Sequence, residues 1–179
     1  MSTPAKKSHQ SELVTFKIGK GDKIKAFIVH KEVACHYSPV LKAAFNSDFV
    51  EGQTQTYVLD DIGEHGIATF TLFVEWLYTQ KLDLLQELKD IVDGDKEYRT
   101  IPANIRRIGA AEIQVAEMWI IAGKLLVPSV QNLAIEQLER ISYHAKGVPS
   151  GVLKNYIFAN TGQGSLLRTT WSTAHLKLL

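Results

Sequence analysis

The chain has 179 residues, of which 45% are hydrophobic and 22% are charged. These fractions are ordinary for one globular domain with extensions, and they supply enough apolar material for a core. The 20 lysines and arginines nearly balance the 19 aspartates and glutamates, which excludes a general attraction to nucleic acid or anionic lipid. Cys35 is the only cysteine, so an internal disulfide and a cysteine-rich zinc site are excluded.

The first part of the chain predicts a small sheet. Residues 1–12 are polar and predict a tail. Residues 13–18 and 23–29 alternate apolar and polar side chains around a glycine-containing turn, which predicts a β-hairpin. A phosphate-binding loop is disfavoured there, because the glycine spacing is incomplete and a strand follows. A further strand is predicted over 56–59, and residues 82–85 are a candidate for another.

Helical signals begin at Ser38-Pro39, where a hydroxyl acceptor precedes a residue that lacks an N–H. The segment 67–79 is the predicted central helix, because its apolar residues recur at helical spacing around most of its circumference. We expect Phe73 and Trp76 of this helix to be buried. Further helices are predicted over 111–127 and after Pro128. Neither these segments nor the N-terminus has the length and character of a membrane helix or signal peptide, so we expect a cytoplasmic or nuclear location.

Residues 86–111 are rich in charge and contain Gly94 and Pro102. This composition predicts a long surface excursion that includes a helical piece. Such long connections are often functional in compact domains.

The order of these elements, together with several local motifs, resembles the BTB/POZ domain and most closely its fungal group. The motifs are Phe27-Ile28-Val29-His30-Lys31, Ser38-Pro39-Val40-Leu41, Phe49-Val50-Glu51, Phe73-Val74-Glu75-Trp76-Leu77-Tyr78-Thr79 and the run over 119–134 from Trp119 to Ala134. The resemblance implies an α+β fold over residues 13–145, with a small three-stranded mixed sheet, five to six helices and the charged insertion 86–111. A C-terminal helical extension is expected over 146–179. Gly123 departs from the family pattern, because Asp is common at this position.

The resemblance implies a protein–protein interaction module that forms homo- or hetero-oligomers and has no enzymatic activity. In the family, the first strand and first helices commonly form a dimer face, and we expect the first strand to offer an unpaired edge. The matching residues here are Val14, Phe16, Val33, Val40 and Leu41.

The segment Phe49-Val50-Glu51 resembles the pattern with which some family members dock the cullin-3 ubiquitin-ligase scaffold. An apolar anchor beside one carboxylate is a plausible binding hot spot. Two alternatives stay open: Phe49 covers the core while Glu51 is merely solvated, or the chain is a transcriptional or scaffold regulator that does not bind cullin.

Candidate catalytic and metal-binding residues are sparse. His30 has no nucleophile or orienting partner in sequence, and we interpret it as structural. Cys35-His36 lacks further ligands for a metal, and a buried thiol is the better interpretation. Gly162-Gln163-Gly164-Ser165 is not a nucleophile elbow. Asp60, Asp61 and Glu64 are expected to be solvated and to cap the central helix. No catalytic set, cofactor or metal is predicted.

Two other function classes have weaker support in the sequence. An enzyme or small-ligand receptor would use 86–111 as a lid, on the evidence of its length alone. A nucleic-acid regulator would use Arg106-Arg107 and Lys6-Lys7, but the balanced charge argues against it.

Overall fold

A computed structural model of the protein describes residues 12–84, 86–94, 96–145 and 151–174. The chain divides into two compact units, one ending at Asp60 and the other beginning at Asp61. Most of the predicted polar tail, including Lys6 and Lys7, lies outside the described residues. None of the described helices has the length and apolar character needed to cross a membrane.

The first unit contains a three-stranded mixed sheet with the order β2-β1-β3. Its strands are β1 (Leu13–Ile18), β2 (Lys25–His30) and β3 (Thr56–Leu59). β1 pairs antiparallel with β2 and parallel with β3, so the predicted hairpin and the mixed sheet are confirmed. The expected unpaired edge of the first strand was wrong, because β1 is central and β2 and β3 are the edge strands.

Three helices complete the first unit: α1 (Lys31–Tyr37), α2 (Pro39–Phe45) and α3 (Val50–Thr54). The predicted start of α2 is confirmed, because the Leu41 N–H donates to Ser38 Oγ at 3.0 Å. Phe16 and Phe45 meet edge to face with ring centroids 5.8 Å apart, and Tyr57 packs beside both. An aromatic core therefore joins the sheet to α2.

The described residues of the second unit form helices and their connections, with no strand among them. Its longer helices are α4 (Gly66–Thr79), α7 (Pro102–Lys124), α8 (Pro128–Ala145), α9 (Gly151–Asn160) and α10 (Leu166–Ala174), and its shorter ones are α5 (Lys89–Asp93) and α6 (Lys96–Thr100). The central helix is confirmed as α4. Phe73 is fully buried and Trp76 is 1% exposed, whereas Tyr78 on the same helix is 48% exposed.

The charged segment 86–111 differs from the predicted surface excursion, because helices occupy most of it. A 3₁₀ turn over Gln86–Leu88 leads into α5 and α6, and α7 begins at Pro102 rather than near Ala111. Ile91 is buried, and Arg107 donates to Asp90 Oδ2 at 2.7 Å. The strand proposed for 82–85 is absent over its described part, residues 82–84.

A tight turn joins α7 to α8. Leu126 has a positive φ of 52°, and the Val127 N–H donates to the Ala122 carbonyl at 2.8 Å. Pro128 then begins α8, since it has no N–H to leave unpaired at the first helical position. The family-like run over 119–134 therefore corresponds to a helix–turn–helix corner.

Candidate interaction surfaces

The short helix α3 presents apolar side chains to solvent. Phe49, the residue before the helix, is 77% exposed, and Val50 is 64% exposed. The proposal that Phe49 covers the core is therefore wrong. Because the Phe49 ring is so exposed, it contributes little hydrophobic free energy to folding. Exposed aromatic residues are typical anchors for a binding partner.

Hydrogen bonds fix the backbone that carries Phe49. Ser47 Oγ accepts from the Phe49 N–H at 3.2 Å and donates to the Ala44 carbonyl at 2.8 Å. Gly52 lies so close to the Ser47 carbonyl that a side-chain carbon at this position would overlap it. Gln55 ends α3 in the left-handed region and donates its side-chain amide to the Phe45 carbonyl at 3.0 Å. Phe49 is therefore held on a defined loop.

Glu51 lies on α3 near the aromatic core and is half-buried. Burial raises the pKa of the Tyr57 phenol above its ordinary value, and the negative charge of Glu51 raises this pKa further. The carboxylate is consequently close enough to Tyr57 to act on it electrostatically. Glu51 is thus a charged residue of α3 with partial access to solvent.

The residues predicted for a dimer face separate into two groups. Val14, Phe16 and Leu41 are at most 1% exposed, so their side chains pack inside the chain. Val33 on α1 and Val40 on α2 are half-buried. Only this second pair offers side-chain surface to another molecule.

The second unit holds a cleft of about 380 Å³ whose lining includes Glu117, Lys124 and Tyr156. Glu117 is 2% exposed and accepts hydrogen bonds from Tyr156 Oη at 2.9 Å and from Thr69 Oγ1 at 3.1 Å. The His65 N–H also approaches it, at 3.4 Å. A buried carboxylate costs free energy unless it is hydrogen-bonded, and these donors join α4, α7 and α9 around it.

Gly63 permits this arrangement, because a side-chain carbon at this position would overlap Glu117 Oε1. Sequence reasoning instead assigned the cap of α4 to Asp60, Asp61 and Glu64. Those three residues are exposed as predicted, but no side chain caps α4 at His65. Asp61 forms an ion pair with Lys124, with 3.0 Å between Oδ2 and Nζ.

The remaining candidates for chemistry do not come together. His30 precedes α1 without forming a side-chain cap. Cys35 is half-buried rather than buried, and burial raises the pKa of its thiol despite the opposing charges of Lys31 and Lys42. Among the described residues, no group of three His, Cys, Asp or Glu side chains is arranged to hold a metal ion.

Sequence reasoning missed Glu117 and the exposed lysines of the β1–β2 hairpin. Glu117 lies within an apolar helical stretch, and a charged residue among core positions is a signal that was available. The lysines fall within the nine residues 17–25, but they were interpreted only as the polar positions of the strands and their turn.

Comparison with known proteins identifies one family. Residues 6–105, more than half of the chain, match the family model described as the BTB/POZ domain. No curated protein matches the chain. The matched region contains the whole described first unit and α4, whereas α8, α9 and α10 lie beyond it.

Proposed function

Because the chain belongs to the BTB/POZ family, a family of protein–protein interaction modules, we propose that it binds cullin-3 through Phe49 and Glu51 as a ubiquitin-ligase adaptor. The observation that carries the proposal is the exposure of Phe49, at 77% of its surface, on a loop held by hydrogen bonds. Glu51 follows two residues later and supplies the carboxylate of the predicted pattern. An exposed aromatic residue near a partly exposed carboxylate is a suitable hot spot for a protein partner.

A pull-down with purified cullin-3 tests this proposal. We expect Phe49→Ala and Glu51→Lys each to lower recovery of cullin-3 by about tenfold or more, since each removes a central contact. Glu75→Lys is the matched control, because it makes the same charge change at an exposed position of α4. Equal recovery by the wild type and Glu51→Lys would remove Glu51 from the site. Absence of binding by the wild type would favour a scaffold or transcriptional regulator that does not use cullin.

We also propose that the protein forms a homodimer, or a heterodimer with another BTB chain, through α1 and α2. Val33 and Val40 are the predicted face residues that retain surface, whereas Val14, Phe16 and Leu41 are buried. Partly exposed valines on neighbouring helices favour association through apolar contact.

Light scattering at micromolar concentration tests the dimer. The double substitution Val33→Asp/Val40→Asp should halve the mass, because two carboxylates would be desolvated in each copy of the interface. Val50→Asp is the control, since Val50 is 64% exposed on α3 and should leave the mass unchanged. A wild-type chain that stays monomeric at every concentration would contradict the dimer.

The proposal extends to two finer points. Membership of the fungal group is supported by the run over 119–134, which lies outside the residues that match the family model. A cytoplasmic or nuclear location is consistent with a single cysteine and no disulfide pair. The alternative of a ligand-binding lid over 86–111 was based on the length of an expected loop. Helices occupy most of this segment, so that argument no longer supports a lid.

A further inference from the structure

Among the described residues, β2 is an edge strand of the sheet, with backbone hydrogen-bonding groups directed away from β1. The Thr15 N–H donates to the Gln55 carbonyl at 2.9 Å and the Gly19 N–H to the Leu59 carbonyl at 3.0 Å, so this set of β1 groups points toward β3. Because backbone groups alternate in direction along a strand, the intervening residues of β1 point toward β2. By the same alternation, the backbone groups of Ala26 and Ile28 on β2 point away from β1 and toward the open edge.

The hairpin that carries this edge is strongly basic. Residues 17–25 contain four lysines and one aspartate, a net charge of +3, whereas the whole chain carries +1. The lysines are Lys17, Lys20, Lys23 and Lys25, and all four are exposed. In the described part of the chain, the ion pairs involve other lysines; Lys25 instead lies 4.8 Å from the centroid of the Phe27 ring.

Apolar side chains lie between these charges. Ile28 is 68% exposed and Ile24 is 50% exposed. Lysines alone would be consistent with an edge that only repels other strands, which is a common protection against aggregation. Exposed isoleucines along the same edge do not serve that purpose, and they favour a surface that is covered in a complex.

We propose that the β2 edge binds an acidic, extended peptide segment of a partner protein, which adds to the sheet as a fourth strand beside Ala26 and Ile28. Backbone hydrogen bonds to the edge would supply the pairing, and an aliphatic side chain would cover Ile28. Carboxylates toward the hairpin turn would pair with Lys20, Lys23 and Lys25. This surface is separate from the residues proposed for cullin, and the inference does not depend on that proposal.

Charge and hydrogen-bonding chemistry select this partner over others. A second copy of β2, whose sequence is KAFIVH, has no carboxylate to place beside the hairpin lysines, so it would leave their charges unneutralised. A nucleic acid or a lipid surface would pair with the lysine charges, but it has no peptide backbone to form strand hydrogen bonds with Ala26 and Ile28. An acidic strand satisfies both the charges and the edge.

Fluorescence anisotropy with a synthetic peptide tests the inference. The probe alternates valine and threonine over six residues and ends in three glutamates, so that in an antiparallel pairing the acids lie at the turn. We expect saturable binding to the full chain that weakens by about tenfold when alternate peptide amides are N-methylated, because methylation removes the ladder donors. Replacing the glutamates by glutamine should weaken binding by a similar factor at low salt.

Protein variants complete the test. Lys23→Glu/Lys25→Glu should abolish binding of the probe, whereas Lys81→Glu/Lys154→Glu, which makes the same charge change at exposed positions elsewhere, should bind as the wild type does. Equal affinity for the N-methylated peptide would overturn strand addition. No binding of the probe, or tighter binding of an oligonucleotide or of vesicles containing phosphatidylserine, would overturn the proposed partner. The Lys23→Glu/Lys25→Glu variant should still recover cullin-3, because its substitutions lie outside the proposed cullin site. Failure of the peptide-binding proposal can therefore be told apart from failure of the cullin proposal.

Discussion

The phenol of Tyr156 and the carboxylate of Glu117 form a pair whose behaviour depends on protonation. Tyr156 donates to Glu117 Oε1 at 2.9 Å. Burial of the phenol, followed by the negative charge of Glu117 and their hydrogen bond, raises the pKa of Tyr156 well above its ordinary value of 10.0. Tyr156 therefore remains a donor under conditions in which an exposed tyrosine would ionise.

This pair predicts a loss of stability in alkali. The folded state holds the phenolic proton more tightly than the unfolded state, so the stabilisation is complete below about pH 10 and declines as pH rises further. Urea unfolding of the wild type and Tyr156→Phe should therefore show the wild type losing free energy of unfolding faster above pH 10. The difference should stay below the limit of about 1.4 kcal/mol per pH unit, because solvent partly screens the half-buried phenol. Other titrating groups cancel in the difference. Parallel pH dependence in the two proteins would show that Tyr156 does not titrate differently on folding.

At the scale of elements, α4 follows directly from its sequence. Phe70, Phe73 and Leu77 recur at helical spacing and are at most 2% exposed, and Phe73 stacks against Trp76 with ring centroids 6.1 Å apart. The periodicity identified this helix because the residues that pack into the core recur on one of its faces. Thr69 is buried as well. Its hydroxyl donates to Glu117, which is distant in sequence, and this hydrogen bond compensates for burying a polar side chain.

Trp76 is the element-scale test of this core. Trp76→Ala should lower the free energy of unfolding by about 3–5 kcal/mol, because it leaves a cavity beside Phe73. Glu75→Ala on the same helix is the control and should change stability by less than about 0.5 kcal/mol, since Glu75 is exposed. Chemical denaturation measures both. A cost below about 1 kcal/mol for Trp76→Ala would be incompatible with full burial.

Short helices were the hardest elements to predict. α3, α5 and α6 have five residues each, too few for a periodic pattern to appear. Tertiary bonds stabilise them instead, as when Arg99 Nη1 donates to the Val92 carbonyl at 3.2 Å. The early start of α7 was missed for a different reason. Pro102 was interpreted as part of a loop, whereas it is the first residue of the helix, where proline is tolerated.

At the scale of the whole molecule, sequence and structure answer different questions. The family-like motifs identified the fold, since they lie in its order of strands and helices. They did not identify which motif residues reach the surface. Phe16 and Leu41 fit the dimer pattern but are fully buried, whereas Phe49 is 77% exposed. Exposure depends on packing between segments distant in sequence, and a single periodic pattern does not contain that information.

The C-terminal segment 146–179 was predicted as an extension beyond the domain, and its described helices test how far it is independent. On α9, Leu153 and Ile157 are fully buried, and Tyr156 bonds to Glu117 of α7. These contacts predict that α9 unfolds together with the second unit. Ile157→Ala should therefore lower the free energy of unfolding by about 2–5 kcal/mol, because it opens a cavity in that unit.

Val152→Ala provides the matched control on the same helix. Val152 is 61% exposed, so its truncation should change stability by less than about 0.5 kcal/mol. Thermal and urea unfolding, followed by helical circular dichroism and by tryptophan fluorescence, should give coincident transitions for Ile157→Ala, since α9 and the unit that contains Trp76 would unfold as one. An early loss of helix with unchanged fluorescence would mean that α9 detaches alone and that the domain boundary lies before residue 151.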